Sequence, residues 1–128
     1  MILIPVSIGE LLDKISILQI KLLLITNDGK IAFIRKEHTY LMKILCEHQN
    51  GDLINHPKYI ELYHVNLQLW NLEDDIRLHE KNKDFGPEFI RLARSIYKTN
   101  DQRAATKKFF NDLFQSEITE VKSYEDYT

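Results

Sequence analysis

Apolar residues recur at helical spacing along most of this chain, and short polar breaks divide the runs into elements. In the first run, Ile8, Leu11, Leu12, Ile15, Leu18, Leu22 and Ile25 make one stripe, and Ile17, Ile20 and Leu24 make another. A helix that is apolar most of the way round is central, or is buried from two directions. Ser7-x-x-Glu10 forms a capping box at its start, with Val6 and Leu11 placed as a hydrophobic staple. The polar string Thr26–Asn27–Asp28–Gly29 ends it after Ile25.

A second helix is predicted from near Asp28 to about Gln49, closed by Asn50–Gly51. A third follows His56–Pro57, with the proline suited to the first helical position, and runs to about Lys81. Leu62, Val65, Leu69, Leu72 and Ile76 give it an alternating three- and four-residue seam, and Tyr59, Tyr63, Leu67 and Trp70 lie beside that seam. A fourth starts at Gly86–Pro87 and ends near Lys98. Thr99-x-x-Gln102 resembles another capping box and would open a fifth helix to about Phe114. Ile2–Val6 reads as an extended arm, restricted to an edge by Pro5. The tail after Gln115 alternates Ile118, Val121 and Tyr124, so it either pairs with that arm as a short strand or stays disordered. The expectation is one all-α domain over residues 1–128: a bundle of about five helices, with a short terminal β-pair left open.

Composition narrows the class without naming a function. At 128 residues, 44% hydrophobic and 28% charged, the chain can build a core without disulfide or metal. A formal net charge of −2 gives no general attraction to nucleic acid or to an anionic membrane. The first ten residues lack the basic segment and small-residue cleavage site of a signal peptide. The apolar run at Ile15–Ile25 carries Ser16, Gln19 and Lys21 and is too short and polar to span a bilayer. Cys46 is the single cysteine, which rules out an internal disulfide and a Cys-x-x-Cys metal knuckle. It reads as a half-buried thiol in a reducing cytoplasm. The doubly apolar first helix favours a homo-oligomer, most simply a two-fold dimer.

Candidate chemistry concentrates in Phe89 to Lys108. There an apolar stripe (Phe89, Leu92, Ala93, Ile96, Tyr97) lies beside Arg91, Arg94, Asn100, Asp101, Arg103 and Lys107. Gathered at a helix junction, these basic and amide groups would hold an anion; spread along a face, they would only be solvated. Lys14 and Lys21 share a face two turns apart, with the bland reading of snorkelling stems. Glu73, Asp74, Arg77 and Glu80 supply i,i+4 and i,i+3 ion pairs late in the third helix. Near its seam they would form either a polar network or part of a site. Glu61-x-x-His64 has no second copy, so a carboxylate-bridged dimetal site is not supported. Glu10-x-x-Asp13 has the look of the magnesium-binding carboxylates of helical nucleotide pyrophosphohydrolases, with Glu73, Asp74 or Asp75 as partners. A chorismate-mutase-like arrangement would need Lys14, Lys21, Arg35 and Arg94 to converge on a dicarboxylate.

Four strings, PVSIGELLDKISILQIK, LWNLEDDIRLHE, FIRLARSIYKTNDQRAATKK and EVKSY, resemble an uncharacterised family of small proteins and domains of bacteria and their phages. The resemblance covers nearly the whole chain in the same order. It reaches Ser7, Gly9, Glu10, Asp13, Lys14 and Lys21, then Trp70, Glu73, Asp74, Arg77 and Glu80. It continues through Ala93, Arg94, Tyr97, Asn100, Asp101, Arg103, Ala104 and Lys107, and ends on Lys122, Ser123 and Tyr124. Gln19 departs from it, since glutamate is more usual there. The resemblance implies no settled activity, but it implies that these polar blocks converge across the helices.

The ligand-binding candidates are therefore Lys14, Lys21, Trp70, Glu73, Asp74, Arg77, Arg94, Tyr97, Asn100, Asp101, Arg103 and Lys107. The leading expectation is a binding or assembly module that holds an anionic small molecule or a partner's acidic group. One alternative is a small enzyme acting on a phosphate- or carboxylate-bearing metabolite. Another is a purely structural dimer whose polar blocks only set helix register. No metal or cofactor is expected, magnesium entering only under the pyrophosphohydrolase alternative.

Overall fold

The computed structural model describes residues 1–48, 50–115, 118 and 120–128. Four α-helices follow one another: α1 Ile8–Leu24, α2 Asp28–Glu47, α3 Pro57–Lys81 and α4 Pro87–Leu113, with a short 3-10 turn at Gly51–Asn55 before α3. The expected end of the second helix at Gln49 lies outside the described residues. Among the described residues there is no strand, so the arm at 2–6 has no regular structure and no β-pairing with the tail. That corrects the expected β-pair, for which the tail had only alternation and no turn to bring it to the arm.

The expected fourth and fifth helices are one. Thr99 does not cap a new helix; it is buried in the middle of α4, and the backbone stays helical through Asn100 and Asp101. No glycine or proline lies within 88–113. Threonine, asparagine and aspartate cost only a few tenths of a kcal/mol each in a helix interior, roughly 0.7 at most, and burial of one long face offsets that. Its buried face is continuous across the junction, from Leu92 through Thr99 and Thr106 to Phe110.

The centre of the bundle is α1, which packs against α2, α3 and α4. Its first stripe supplies Leu11, Leu12 and Ile15 to a core completed by Leu45, Tyr59, Leu62 and Phe110. The second stripe is only partly covered: Ile20 is buried, whereas Leu24 and Leu23 are exposed at the far end. Tyr59 donates its hydroxyl to Gln19, and burial, then the nearby Tyr63, pushes that hydroxyl above its ordinary titration range. The α2 helix is peripheral, with Leu45 its single buried residue, and Cys46 beside it is exposed rather than half-buried.

Helix starts follow local chemistry. Asn27 accepts from the backbone N–H of Lys30 at 3.0 Å, and His56 accepts through Nδ1 from Lys58 at 3.0 Å. Ser7 accepts from Glu10 at 3.2 Å. The capping box is half made, however, because the Glu10 carboxylate turns to α4 instead of to the Ser7 backbone.

That turn is possible because α1 and α4 meet at Gly9. A Cβ there would stand 2.4 Å from the carbonyl oxygen of Lys107 and 2.7 Å from Asn111 Oδ1. The Gly9 N–H donates to that same Asn111 oxygen at 2.8 Å. Gly29, in the first turn of α2, has as its nearest neighbour the Asn27 Oδ1 at 3.4 Å, an ordinary contact. One substitution should therefore have opposite signs at the two sites. Gly9→Ala forces the helices apart and should lose about 1–3 kcal/mol, while Gly29→Ala should be neutral or gain up to about 1 kcal/mol. Urea denaturation of the two variants checks this; equal effects would mean that the α1–α4 approach is looser than described.

Candidate functional site

Successive turns of α1 place Glu10, Asp13 and Ser16 on one face, toward α3 and α4. From α4, Lys107 extends its ammonium between the carboxylates: Nζ is 2.7 Å from Glu10, 3.1 Å from Glu120 in the tail and 3.8 Å from Asp13. From α3, the Asn66 amide nitrogen donates to Asp13 Oδ1 at 2.8 Å and to Ser16 Oγ at 2.7 Å. Ser16 in turn donates to the Asp13 carbonyl at 2.8 Å. Lys14 and Lys122 flank the cluster, 3.8 Å from Glu10 and 2.9 Å from Glu120.

Asp13, Ser16, Asn66, Lys107 and Asn111 are all buried, so the cluster is an anchor, with a cavity of about 380 Å³ on its outer side at Lys107, Asn111, Glu120 and Lys122. Burying ions is costly unless each has partners, and here most have two. Burial works against the Lys107 charge, yet its bonds to Glu10 and Glu120, with the fields of Asp13 and Glu10, raise its pKa. Glu120 is pushed down to about 2, first by its bond to Lys122 and then by Lys107.

The anchor fixes an open cleft beside it. The α4 residues Tyr97, Asn100, Asp101 and Arg103 face Lys122, Tyr124, Glu125 and Tyr127 of the tail across a cavity of about 530 Å³. Tyr127 donates to Asp101 at 2.6 Å and sets its ring edge-on to Tyr97, centroids 5.3 Å apart. Lys122 lies 5.6 Å from the Tyr124 ring centroid. A smaller groove of about 270 Å³ opens between α1, α3 and α4, lined by Ile17, Ile20, Asn66, Leu69, Trp70, Glu73 and Asp74. Arg103 lines both cavities and, among the described residues, has no ion pair.

The structure thus brings Tyr97, Asn100, Asp101 and Arg103 together, and puts Trp70, Glu73 and Asp74 across Arg103 in the second groove. Other candidates stand apart. Arg77 is exposed and pairs with Glu73 at 3.4 Å. Arg94 is exposed and lines neither cavity. Lys21 is half-buried and lines neither. Lys14 borders a different cavity, of about 630 Å³, beneath the N-terminal arm. Lys107 is committed to its three carboxylates. Glu10 and Asp13 face Lys107, so they do not converge with Glu73 and Asp74. Among the described residues no three His, Cys, Asp or Glu side chains are grouped to hold a metal ion, and no helix is long and apolar enough to cross a membrane.

Sequence reasoning missed Ser16, Asn66, Asn111 and Glu120. Asn66 had a signal, an amide four residues after Leu62 and three before Leu69, inside an apolar seam. Glu120 opens the EVKSY string of the resemblance, but nothing local ties that string to α4.

Fold and site define a small four-helix module with a buried ionic anchor and an adjoining polar cleft. The chain belongs to a family described as "Family of unknown function (DUF6165)", whose model matches residues 2–127. No curated protein and no solved structure matches it.

Two outcomes follow from the anchor. Lys107→Met leaves Asp13 buried without a cation and should cost about 3 kcal/mol. Adding Asp13→Asn should cost less than the sum of the single changes, measured by urea denaturation; additivity would show that the two groups do not interact. The second outcome concerns pH. The Glu120 pKa is depressed from its ordinary 4.5 to about 2, so its contribution is complete above pH 4.5 and lost as pH falls through about 2. Lys107 is raised from 10.5, so its contribution is complete below that pH and lost only above it. A carbon-13 titration of the Glu120 carboxyl should give a midpoint near 2; one near 4.5 would mean that the tail is not anchored.

Proposed function

We propose that this chain is a non-catalytic binding module whose cleft between α4 and the tail holds an anionic group, of a small molecule or of a partner protein. The observation that carries this reading is Arg103. Its guanidinium is the one strong donor fork in the cleft, it has no ion pair among the described residues, Asn100 stands beside it on α4 and Lys122 faces it from the tail. An unpaired guanidinium beside an amide and an ammonium suits phosphate or carboxylate. Tyr97 and Tyr124 add flat apolar surface with polar edges. Asp101 and Glu125 restrict the ligand, because they disfavour a highly charged anion that would fill the whole cavity.

Separation of Glu10 and Asp13 from Glu73 and Asp74 supports binding over magnesium-dependent hydrolysis. The scattering of Lys14, Lys21 and Arg94 likewise speaks against a chorismate-mutase-like cage. The dimer belongs to the same proposal and is supported by the exposed apolar arm, with Ile2 at 90% and Leu3 at 75% exposure. The exposed free thiol of Cys46 suits a reducing, cytoplasmic setting.

A thermal-shift screen with phosphate, pyrophosphate, nucleotides and dicarboxylates, with and without magnesium, tests the binding reading. A ligand at a hundred times its Kd should stabilise by about 2.7 kcal/mol, a rise of several degrees. Arg103→Ala should abolish the shift and Arg94→Ala should keep it. A shift that survives Arg103→Ala, or silence across the panel, overturns the proposal. A shift that requires magnesium favours the enzyme.

A further inference from the structure

The groove between α1, α3 and α4 has a lining of different chemistry. Asn66, Trp70, Glu73 and Asp74 recur at four-, three- and one-residue steps along one side of α3. Asn66 is 4% exposed. Its amide nitrogen is fixed toward α1, because Asp13 Oδ1 and Ser16 Oγ both need a donor there. Its carbonyl oxygen is buried and, among the described residues, has no hydrogen-bond partner. A buried acceptor left unpaired costs about 1–3 kcal/mol, so this oxygen is complete only when a donor reaches it. Asp74 has no ion pair among the described residues, and Glu73 has only the exposed Arg77 at 3.4 Å. An indole face, two carboxylates and an unpaired carbonyl together match an organic cation.

We infer that this groove is a subsite for a primary ammonium or guanidinium group, and that the module's ligand carries such a cation together with its anionic group. Glu73 shares its charge with the exposed Arg77, so Asp74, with no ion pair among the described residues, is the carboxylate left for a cation in the groove. Arg103 stands where the two cavities meet and takes the anionic end. Ile17, Ile20 and Leu69 supply apolar wall for the alkyl stem between the two ends. The anionic half of this inference rests on the cleft reading above; the cationic half does not.

Trp70 is the only tryptophan, so its indole N–H resonance reports on this groove alone. Full-length protein would be titrated at low salt with butylamine, with butyl phosphate, and with ω-aminoalkyl phosphates of two to six carbons. Butylamine and the aminoalkyl phosphates should move the Trp70 signal. One chain length should bind at least about tenfold more tightly than either single-headed probe, because its second contact is intramolecular. Asp74→Asn, at an exposed position with no ion pair among the described residues to lose, should weaken the amine probes about tenfold and should not weaken butyl phosphate. A Trp70 signal unmoved by every amine, or amine affinity unaffected by Asp74→Asn, overturns the subsite. Equal affinity for single- and two-headed probes overturns the joined ligand. Butyl phosphate is followed through the Arg103 side-chain Nε–H resonance, since Arg103 lines the cleft; butylamine binding with that resonance unmoved by butyl phosphate overturns the anion cleft and leaves the cation subsite standing.

Discussion

A single buried ammonium organises this molecule. Lys107 comes from α4, Glu10 and Asp13 from the start of α1, and Glu120 from the tail, so one charge ties together three segments of the chain. The arrangement is demanding in both directions. The ammonium is stable in its buried position only while the carboxylates surround it, and Asp13 tolerates burial only with Lys107 and Asn66 beside it. Gly9 is the geometric condition for all of this, since any side chain there would hold α4 too far away for the ammonium to reach. Asn111, bonded to the Gly9 backbone, reads the same spacing a second time from the next turn of α4.

The cleft depends on that anchor. Its inner wall is α4, rigid and packed on α3. Its outer wall is tail, a segment without regular structure that is held by Glu120 at one end and by Tyr127 on Asp101 at the other. Arg103 lies one turn from Lys107, so the turn that is buried by the anchor also sets the direction of the free guanidinium. Adjacent turns of one helix differ in charge state: paired charge at Lys107 on the side facing α1, and Arg103, without an ion pair among the described residues, on the side facing the tail and the α3 groove.

Much of the architecture was legible from periodicity. The central position of α1 and the Leu62–Leu69 seam follow from apolar spacing, and the bounds of α1 and α3 and the start of α2 follow from caps and polar breaks. The break at Thr99 was misread because a capping pattern is local, whereas the helix continues for a reason of packing: Leu92, Thr99, Thr106 and Phe110 bury one face. Glu10 was legible as a cap, but its longer reach to Lys107 was not, since a side chain's partner 97 residues away leaves no trace in spacing. Half of the candidate site could be read, because Tyr97, Asn100, Asp101 and Arg103 fall on neighbouring turns of one helix. Their separation from Arg94, and the role of Asn66, are set by helix rotation in the packed bundle, which no single run of sequence encodes.

The contact at Gly9 also orders the events of folding. It joins residues 102 positions apart, so the chain must close nearly its whole length before the N–H of Gly9 finds Asn111 and before Lys107 finds its carboxylates. Closure over such separations is entropically slow and is rewarded late. Helices α1 to α3 can collapse on Leu12, Ile15 and Leu62 beforehand, but until α4 is in place Asp13 remains a carboxylate without its cation. During synthesis α1 thus carries an acidic gap that only α4 fills, and the bundle becomes fully native only after Lys107 and Asn111 have followed.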